Sequence, residues 1–448
     1  MVSLCMYFHV HQPWRLKKFS VFEVGQGHHY FDKGKNLAIL EKIAKKCYLP
    51  MNNTIMSLIH RHDFKASFSF SGVVLEQLEQ HCPEVIDSFQ ELVKTGNVDL
   101  VDETYHHSLA FLYSKDEFRE QVRMHSRKIK ELFGKTPQIF RNTELIYSNE
   151  LAQTVEEMGY KGVLAEGADH VLGWRSPNFL YRPKGTSTIK LLLKNYRLSD
   201  DIAFRFQERG WKEWPLTVPK YAKWLNEVNG NGNTINLFMD YETFGEHQWS
   251  TSGIFNFISA LPEEFLKNPD NNFKTTSEVV RDYEPVAELD VPYLVSWADV
   301  ERDVSAWLGN PMQQSAAAEI YKLEKQILAT GDAQLISDWR NLQTSDHFYY
   351  MCTKWFNDGD VHKYFNPYDT PYDAFITFMN IMNDLVLRMR EIQKRQELLV
   401  RKAGQTQLLS AQIPIKNQMP FGNRPAGGPK TGRVSKIKLN AAGDNHGI

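Results

Sequence analysis

The sequence has no paired cysteine motif: Cys5, Cys47, Cys82 and Cys352 are spread along 448 residues, and no two of them share a CxxC spacing. That excludes a zinc knuckle and a thioredoxin-type redox pair, and so sparse a set predicts a reducing compartment rather than a disulfide framework. Long apolar runs are missing too, since none approaches the roughly 20 residues that cross a bilayer. The first residues, MVSLCMYFHVHQPWRL, carry no basic n-region and turn polar early, so no secretory signal is expected and the expected location is the cytoplasm. An excess of one charge is also absent: 52 Lys and Arg stand against 54 Asp and Glu, a net charge of −2. Neither a nucleic acid nor a membrane surface is therefore expected as partner. Aromatic residues, by contrast, make up 12% of the chain, with ten Trp and nineteen Tyr. Their apolar faces suit stacking on the C–H faces of sugars as well as ordinary core packing.

Through the first three hundred residues short β-rich runs alternate with helical patterns. The runs predict strands at Leu4–Val10, Ala66–Phe70, Val98–Val101, Gln138–Arg141, Gly162–Ala165, Ile189–Leu193 and Ile235–Met239. Amphipathic stretches between them predict helices over Pro83–Lys94, Lys115–Phe133, Asn149–Met158 and Val218–Val228. Buried strands followed by helices imply a parallel α/β architecture, and about seven of them suit an incomplete β/α barrel better than a small open sheet. From about Pro292 the pattern becomes helical over Pro311–Thr330, Asp332–Tyr350 and Pro371–Lys402. The expected organisation is a catalytic barrel over 1–290, a helical subdomain over 291–402, and a basic tail over 403–448 that is too polar to fold alone.

Polar residues collect where the predicted strands end. The first run leads into His9, His11 and Gln12-Pro13, the third passes Asp99 to Asp102 and Glu103, the fourth leads to Glu144, and the last ends in Asp240 with Glu242 and Glu246 behind it. In a β/α barrel such ends meet at one catalytic face. Glycoside cleavage requires a protonated carboxylic acid at the leaving oxygen and a second carboxylate near the anomeric carbon. Glu144 and Asp240, from separate strands, are placed to fill these roles, with Asp240 expected to be kept protonated by its neighbours and partial burial. Each also has a structural alternative: Glu144 as a partner of Arg141, Asp240 as a helix cap. Of His9 and His11, one is expected to face the barrel axis. A histidine pair in this position also suits metal ligands of a deacetylase or amidohydrolase, with His106, His107, His170 and Asp240 as possible further donors, although no HxxEH or HxxxH pattern accompanies them.

At these residues the sequence resembles the α-amylase-type members of glycoside hydrolase family 57 over roughly residues 1–400. Five ordered segments carry the resemblance: His11-Gln12-Pro13, Gly96 to Leu100, Phe140 to Tyr147, Met239 to His247, and Ser296 to Asp303 continuing to Trp307. The resemblance implies an incomplete (β/α)7 TIM-like barrel followed by a C-terminal helical subdomain, acting on an α-glucan or maltooligosaccharide. It implies a retaining mechanism with Glu144 as nucleophile and Asp240 as acid/base, and no metal or organic cofactor. His9 and His11 match substrate-contacting histidines, Asp346 an aspartate supplied by the helical region, and Trp307 an aromatic near bound sugar. Asp99 stands where the family usually has Glu, which leaves Asp99 or Glu103 to bond a sugar hydroxyl. His247 stands where glucanotransferase-type members carry Trp. The same residues would serve a 4-α-glucanotransferase or branching enzyme, and a glucan-binding protein without turnover is the non-enzymatic alternative.

Overall fold

The computed structural model describes residues 2–354 and 366–411, together with Gly428. Seven parallel strands form the central sheet: β1 (Ser3–Val10), β2 (Ala66–Phe70), β3 (Val98–Asp102), β4 (Ile139–Arg141), β5 (Gly162–Glu166), β6 (Lys190–Lys194) and β7 (Thr234–Asp240). In space β7 pairs with β1, and β1 to β6 then follow in chain order. No strand ladder joins β6 to β7 among the described residues. A backbone hydrogen bond from Asn195 N to Asn236 O (2.9 Å) and one from the Asn236 side chain to Leu193 O (2.9 Å) span that opening. The barrel is thus incomplete, as the sequence implies.

Alternation along β1 explains how the barrel is filled. Leu4, Met6, Phe8 and Val10 join the outer core with the helices Lys33–Ile43, Leu49–His62 and Pro83–Lys94. Cys5 and Tyr7 point inward with Val101, Ile139, Leu164, Leu192 and Phe238. Every residue of β1 is buried, as expected of a strand covered on both faces. At Gly162 on β5 an added Cβ would stand 2.6 Å from Val280 and 2.8 Å from Ile139, so only glycine lets the sheet and the helix Thr276–Asp282 approach this closely.

The predicted helices Pro83–Lys94 and Lys115–Phe133 are found with those ends, the latter stopped by Gly134 in the left-handed region. Sequence periodicity does not separate Pro311–Lys322 from Glu324–Thr330, or Ala333–Asn341 from Ser345–Tyr349. It also does not disclose the short strands Tyr181–Pro183, Asn272–Phe273 and Ala287–Leu289, which are too brief for a period to register. By contact the chain divides into Met1–Lys394 and Arg395–Ile448. The first unit holds the sheet, its helices and the helical region that follows. Of the second, the described part is helical to Ala411 apart from Gly428, and the rest of the basic tail lies outside the described residues.

Candidate active site

Strand register brings the first two site residues together, because His9 on β1 is paired directly with Asp240 on β7. His9 Nδ1 lies 3.4 Å from Asp240 Oδ1, and its Nε2 lies 3.1 Å from Glu103 Oε2. Both His9 and His11 border the central cavity, contrary to the expectation that one would turn away. Residues two apart on a strand share a face, and Val10 is the one directed outward. The rings of His9, His11 and His107 cluster, with His107 4.8 Å from His9 and 4.1 Å from His11 and those two 5.7 Å apart between ring centres.

Glu144 sits just beyond β4 in a tight turn, with φ of 58° followed by 50° at Leu145. Left-handed backbone at two successive non-glycine residues is strained and persists only where the surroundings enforce it. Here Leu145 N bonds to Asn142 O (3.0 Å) and the Asn142 side chain donates to Ile146 O (3.0 Å). Three donors converge on the carboxylate: His107 Nε2 (3.0 Å) and Ser345 Oγ (2.9 Å) at Oε1, and the Trp297 indole N–H (2.9 Å) at Oε2. Burial raises the Glu144 pKa, but the His107 bond, the Arg141 charge and the Trp297 bond outweigh it and hold the carboxyl well below the usual range. Burial and the neighbouring His11 keep His107 down at about 4, so the ring is neutral at pH 7. Arg141 Nη1 approaches its Nδ1 (3.4 Å) and can only donate, so the proton resides on Nε2, directed at Glu144.

Arg141 does not pair with Glu144 by contact. Its guanidinium is fully buried, donates to Glu103 Oε2 (3.1 Å) and lies over the Trp297 ring. Glu103 is itself fully buried beneath His9, and of the two second-segment candidates it is the one that joins the site, as a support for His9 rather than as a surface open to sugar. Asp99 does not reach the cavity. Its carboxylate accepts from Thr276 Oγ1 (3.0 Å) and Ser277 N (3.0 Å) at the start of the helix Thr276–Asp282, because position 99 on β3 lies three residues before the strand's catalytic end.

The electrostatics of Asp240 differ from the expectation that it is kept protonated. Burial raises its pKa, yet the His9 hydrogen bond and the charges of His9 and His247 prevail and lower it. Burial and Arg141 in turn push His9 down, but Glu103 and the bonds to Asp240 and Glu103 bring it up to about 9. At neutral pH the proton of this unit therefore sits on the imidazole, flanked by two carboxylates. Glu242, which also borders the cavity, is pushed up to about 7 by burial and by Asp240. Because that is above its ordinary 4.5, the stability it contributes is complete below pH 4.5 and is lost as pH rises through 7. Glu242→Gln is expected to raise the Tm at pH 8 and to leave it unchanged at pH 4, measured by calorimetry.

The helical region supplies the remaining wall. Asp346 Oδ2 meets His11 Nε2 at 3.0 Å, while His11 Nδ1 meets Ser71 Oγ at 2.6 Å. Trp307 and His247 line the cavity, and the buried Trp307 indole N–H has no hydrogen-bond acceptor among the described residues. The loop bearing Trp297 is tied down by Arg302, which donates to Trp297 O and reaches Asp200 (3.2 Å), itself bonded by Lys194 (3.0 Å). The cavity these residues enclose measures about 150 Å³. His107, Ser345, Trp297 and Arg141 were not singled out as site residues of a glycosidase from sequence; Trp297 falls inside the fifth segment, which is the signal that could have found it.

Of the proposed metal donors, His106 turns away to Asn341 (3.0 Å) and His170 stacks on Tyr293. Two sets of donor atoms do lie within 4.8 Å of one another among the described residues, His9–Glu103–His107 and His11–His107–Asp346. In the first the Arg141 guanidinium already takes the place of a cation at Glu103. In the second His11 Nε2 is already bonded to Asp346 and His107 Nε2 to Glu144.

Two carboxyls from separate strand ends, shut in with imidazoles and indoles on an incomplete parallel barrel, define a class: an enzyme that hydrolyses glycosidic bonds. The family model of glycosyl hydrolase family 57 matches residues 5–292. A protein of Methanocaldococcus jannaschii, named provisionally as an alpha-amylase, is 44% identical over 420 residues, covering 89% of this chain and 88% of that protein. The 4-alpha-glucanotransferase of Thermococcus litoralis superposes with a TM-score of 0.64 at 16% identity, covering 86% of this chain and 59% of that one. A family 57 branching enzyme of Thermococcus kodakaraensis gives 0.62 at 15% identity, covering 90% and 91%. The chain belongs to glycosyl hydrolase family 57. No helix among the described residues is long and apolar enough to cross a membrane.

Proposed function

We propose that the protein is a retaining, α-amylase-like hydrolase of α-1,4-glucans, with Glu144 as nucleophile and Asp240 as general acid/base. The observation that carries this reading is the unequal setting of two carboxyls in one cavity. Glu144 is held ionised by three donors, while Asp240 is coupled to an imidazole that carries a proton.

In the resting site the proton lies on His9. When sugar covers Asp240 and excludes water, the charged pair His9–Asp240 becomes costly, and transfer of the proton to Asp240 leaves both groups neutral. Asp240 then protonates the glycosidic oxygen as its bond to the anomeric carbon breaks, and Glu144 attacks that carbon to form a glycosyl ester. The Asp240 carboxylate next takes a proton from water, whose oxygen attacks the same carbon. The ester bond breaks, Glu144 is released ionised, and the anomeric configuration is retained after two inversions. His11, Asp346 and His247 are assigned to sugar hydroxyls, and the buried Trp307 to the cavity wall behind the sugar. The helical region 291–402 is assigned as the part that completes the cleft, through Trp307, Ser345 and Asp346.

With a sugar hydroxyl in place of water the same steps give a glucanotransferase or branching enzyme, the activities for which the two structural relatives are named. Incubation with maltooligosaccharides and soluble starch, with products resolved by size, separates the two. Exclusively shorter products are expected, and products longer than the substrate would assign transfer instead. A starch- or glycogen-type substrate in the cytoplasm fits the four free, buried cysteines.

A further inference from the structure

A second groove, of about 680 Å³, opens beside the catalytic cavity. It is built by the same chain segments. Trp307 lines the cavity and Leu308 the groove, and the segment that carries Glu144 continues through Ser148 to Gln153 along the groove wall. An antiparallel bridge between Tyr147 and Val295, with Tyr147 N bonded to Val295 O (2.9 Å), fixes this segment beside the one that leads to Trp297.

Two tyrosines border the groove, Tyr113 at 37% and Tyr293 at 58% exposure. Single exposed aromatics on a surface are ordinary, but these two share one concavity and each has a second ring beside it. Tyr321 stacks on Tyr113 at 4.7 Å with the rings 3° from parallel, and His170 lies nearly parallel to Tyr293 at 6.4 Å. The polar groups of the groove are a Lys115–Glu150 ion pair (3.0 Å), Ser148, Asn149 and the exposed Gln153 amide. Together they offer donors and acceptors but little net charge. Fixed ring faces with neutral-summed hydrogen-bonding groups suit a carbohydrate chain and not an anion, and the volume falls within the range of roughly 300–1,000 Å³ typical of ligand sites.

We propose that this groove binds a stretch of α-glucan chain, so that a polymeric substrate is held at a second place while another part of it is processed in the cavity. The inference rests on the α-glucan reading of the cavity. Its test is the double variant Tyr113→Ala/Tyr293→Ala, with Tyr113→Phe/Tyr293→Phe as the control that keeps the ring faces. The alanine variant is expected to raise KM on glycogen about tenfold, to leave kcat/KM on maltotetraose within about twofold, and to be retarded clearly less than the wild type in a native gel containing glycogen. The phenylalanine variant is expected to behave as wild type in all three. An unchanged KM on glycogen, or an equal loss on glycogen and maltotetraose, would overturn the groove assignment. Wild type that turns over neither substrate yet is retarded by glycogen would overturn the catalytic reading and leave the groove standing. Wild type that is active while the alanine variant is still fully retarded would do the reverse.

Discussion

Replacing Glu144 by Gln is expected to lower kcat on maltooligosaccharides by at least about 10⁴-fold, with the fold retained. The amide keeps the shape of the carboxylate but cannot attack the anomeric carbon. It also meets the wrong partners: His107, Ser345 and Trp297 present three donors to the two carboxylate oxygens, so a Gln NH₂ must oppose one of them. That mismatch costs stability on the order of 1–3 kcal/mol, which separates a modest fall in Tm from the much larger loss of turnover. The low pKa of Glu144 adds a condition on the wild type, whose kcat/KM should hold below the pH at which an ordinary glutamate protonates, because the nucleophile stays ionised there. Full activity of the Glu144→Gln protein would remove the residue from the nucleophile role.

The second large effect belongs to His9. Its pKa of about 9 makes it the group that keeps a proton within reach of Asp240, so the alkaline limb of kcat/KM is expected near pH 9 and reports the His9–Asp240 pair as a unit. In His9→Gln that store is gone, and Asp240 must hold the proton alone. The alkaline limb should then move well to the acid side of its wild-type position, with activity at pH 7.5 reduced by about 10²-fold and the loss shrinking as pH falls. Stability should follow the same group. Since His9 is raised from 6.5 to about 9, its contribution is complete below pH 6.5 and is lost as pH rises through 9, and His9→Gln should flatten that decline. An unchanged limb would assign the proton on Asp240 to another source.

Periodicity exposes the seven strands because each is buried on both faces and bounded by turns, so apolar runs such as Leu4–Val10 and Ile235–Met239 coincide with the barrel within a residue or so. It cannot expose the pairing of β7 with β1, which is what sets Asp240 against His9. Glu144 and Asp240 stand out as carboxylates at strand ends, yet nothing local announces that Ser345 and Trp297, some two hundred and one hundred and fifty residues further on, complete the Glu144 cradle. Charge state is the least legible property. Asp240 reads as an acid kept protonated, but burial loses to the His9 hydrogen bond and the charges of His9 and His247, and His9 is brought to it only by the pairing of two strands far apart in sequence. Asp99 misleads for a simpler reason, since its place on β3 lies before the catalytic end and its side chain caps a helix instead.

The central claim, a double displacement through Glu144 and Asp240, is tested most directly by following the first seconds of maltooligosaccharide hydrolysis with proton NMR. Retention predicts that the new reducing end appears as the α-anomer and only later mutarotates toward equilibrium. A new reducing end that appears first as the β-anomer would mean direct attack by water, and Glu144 would not be the nucleophile.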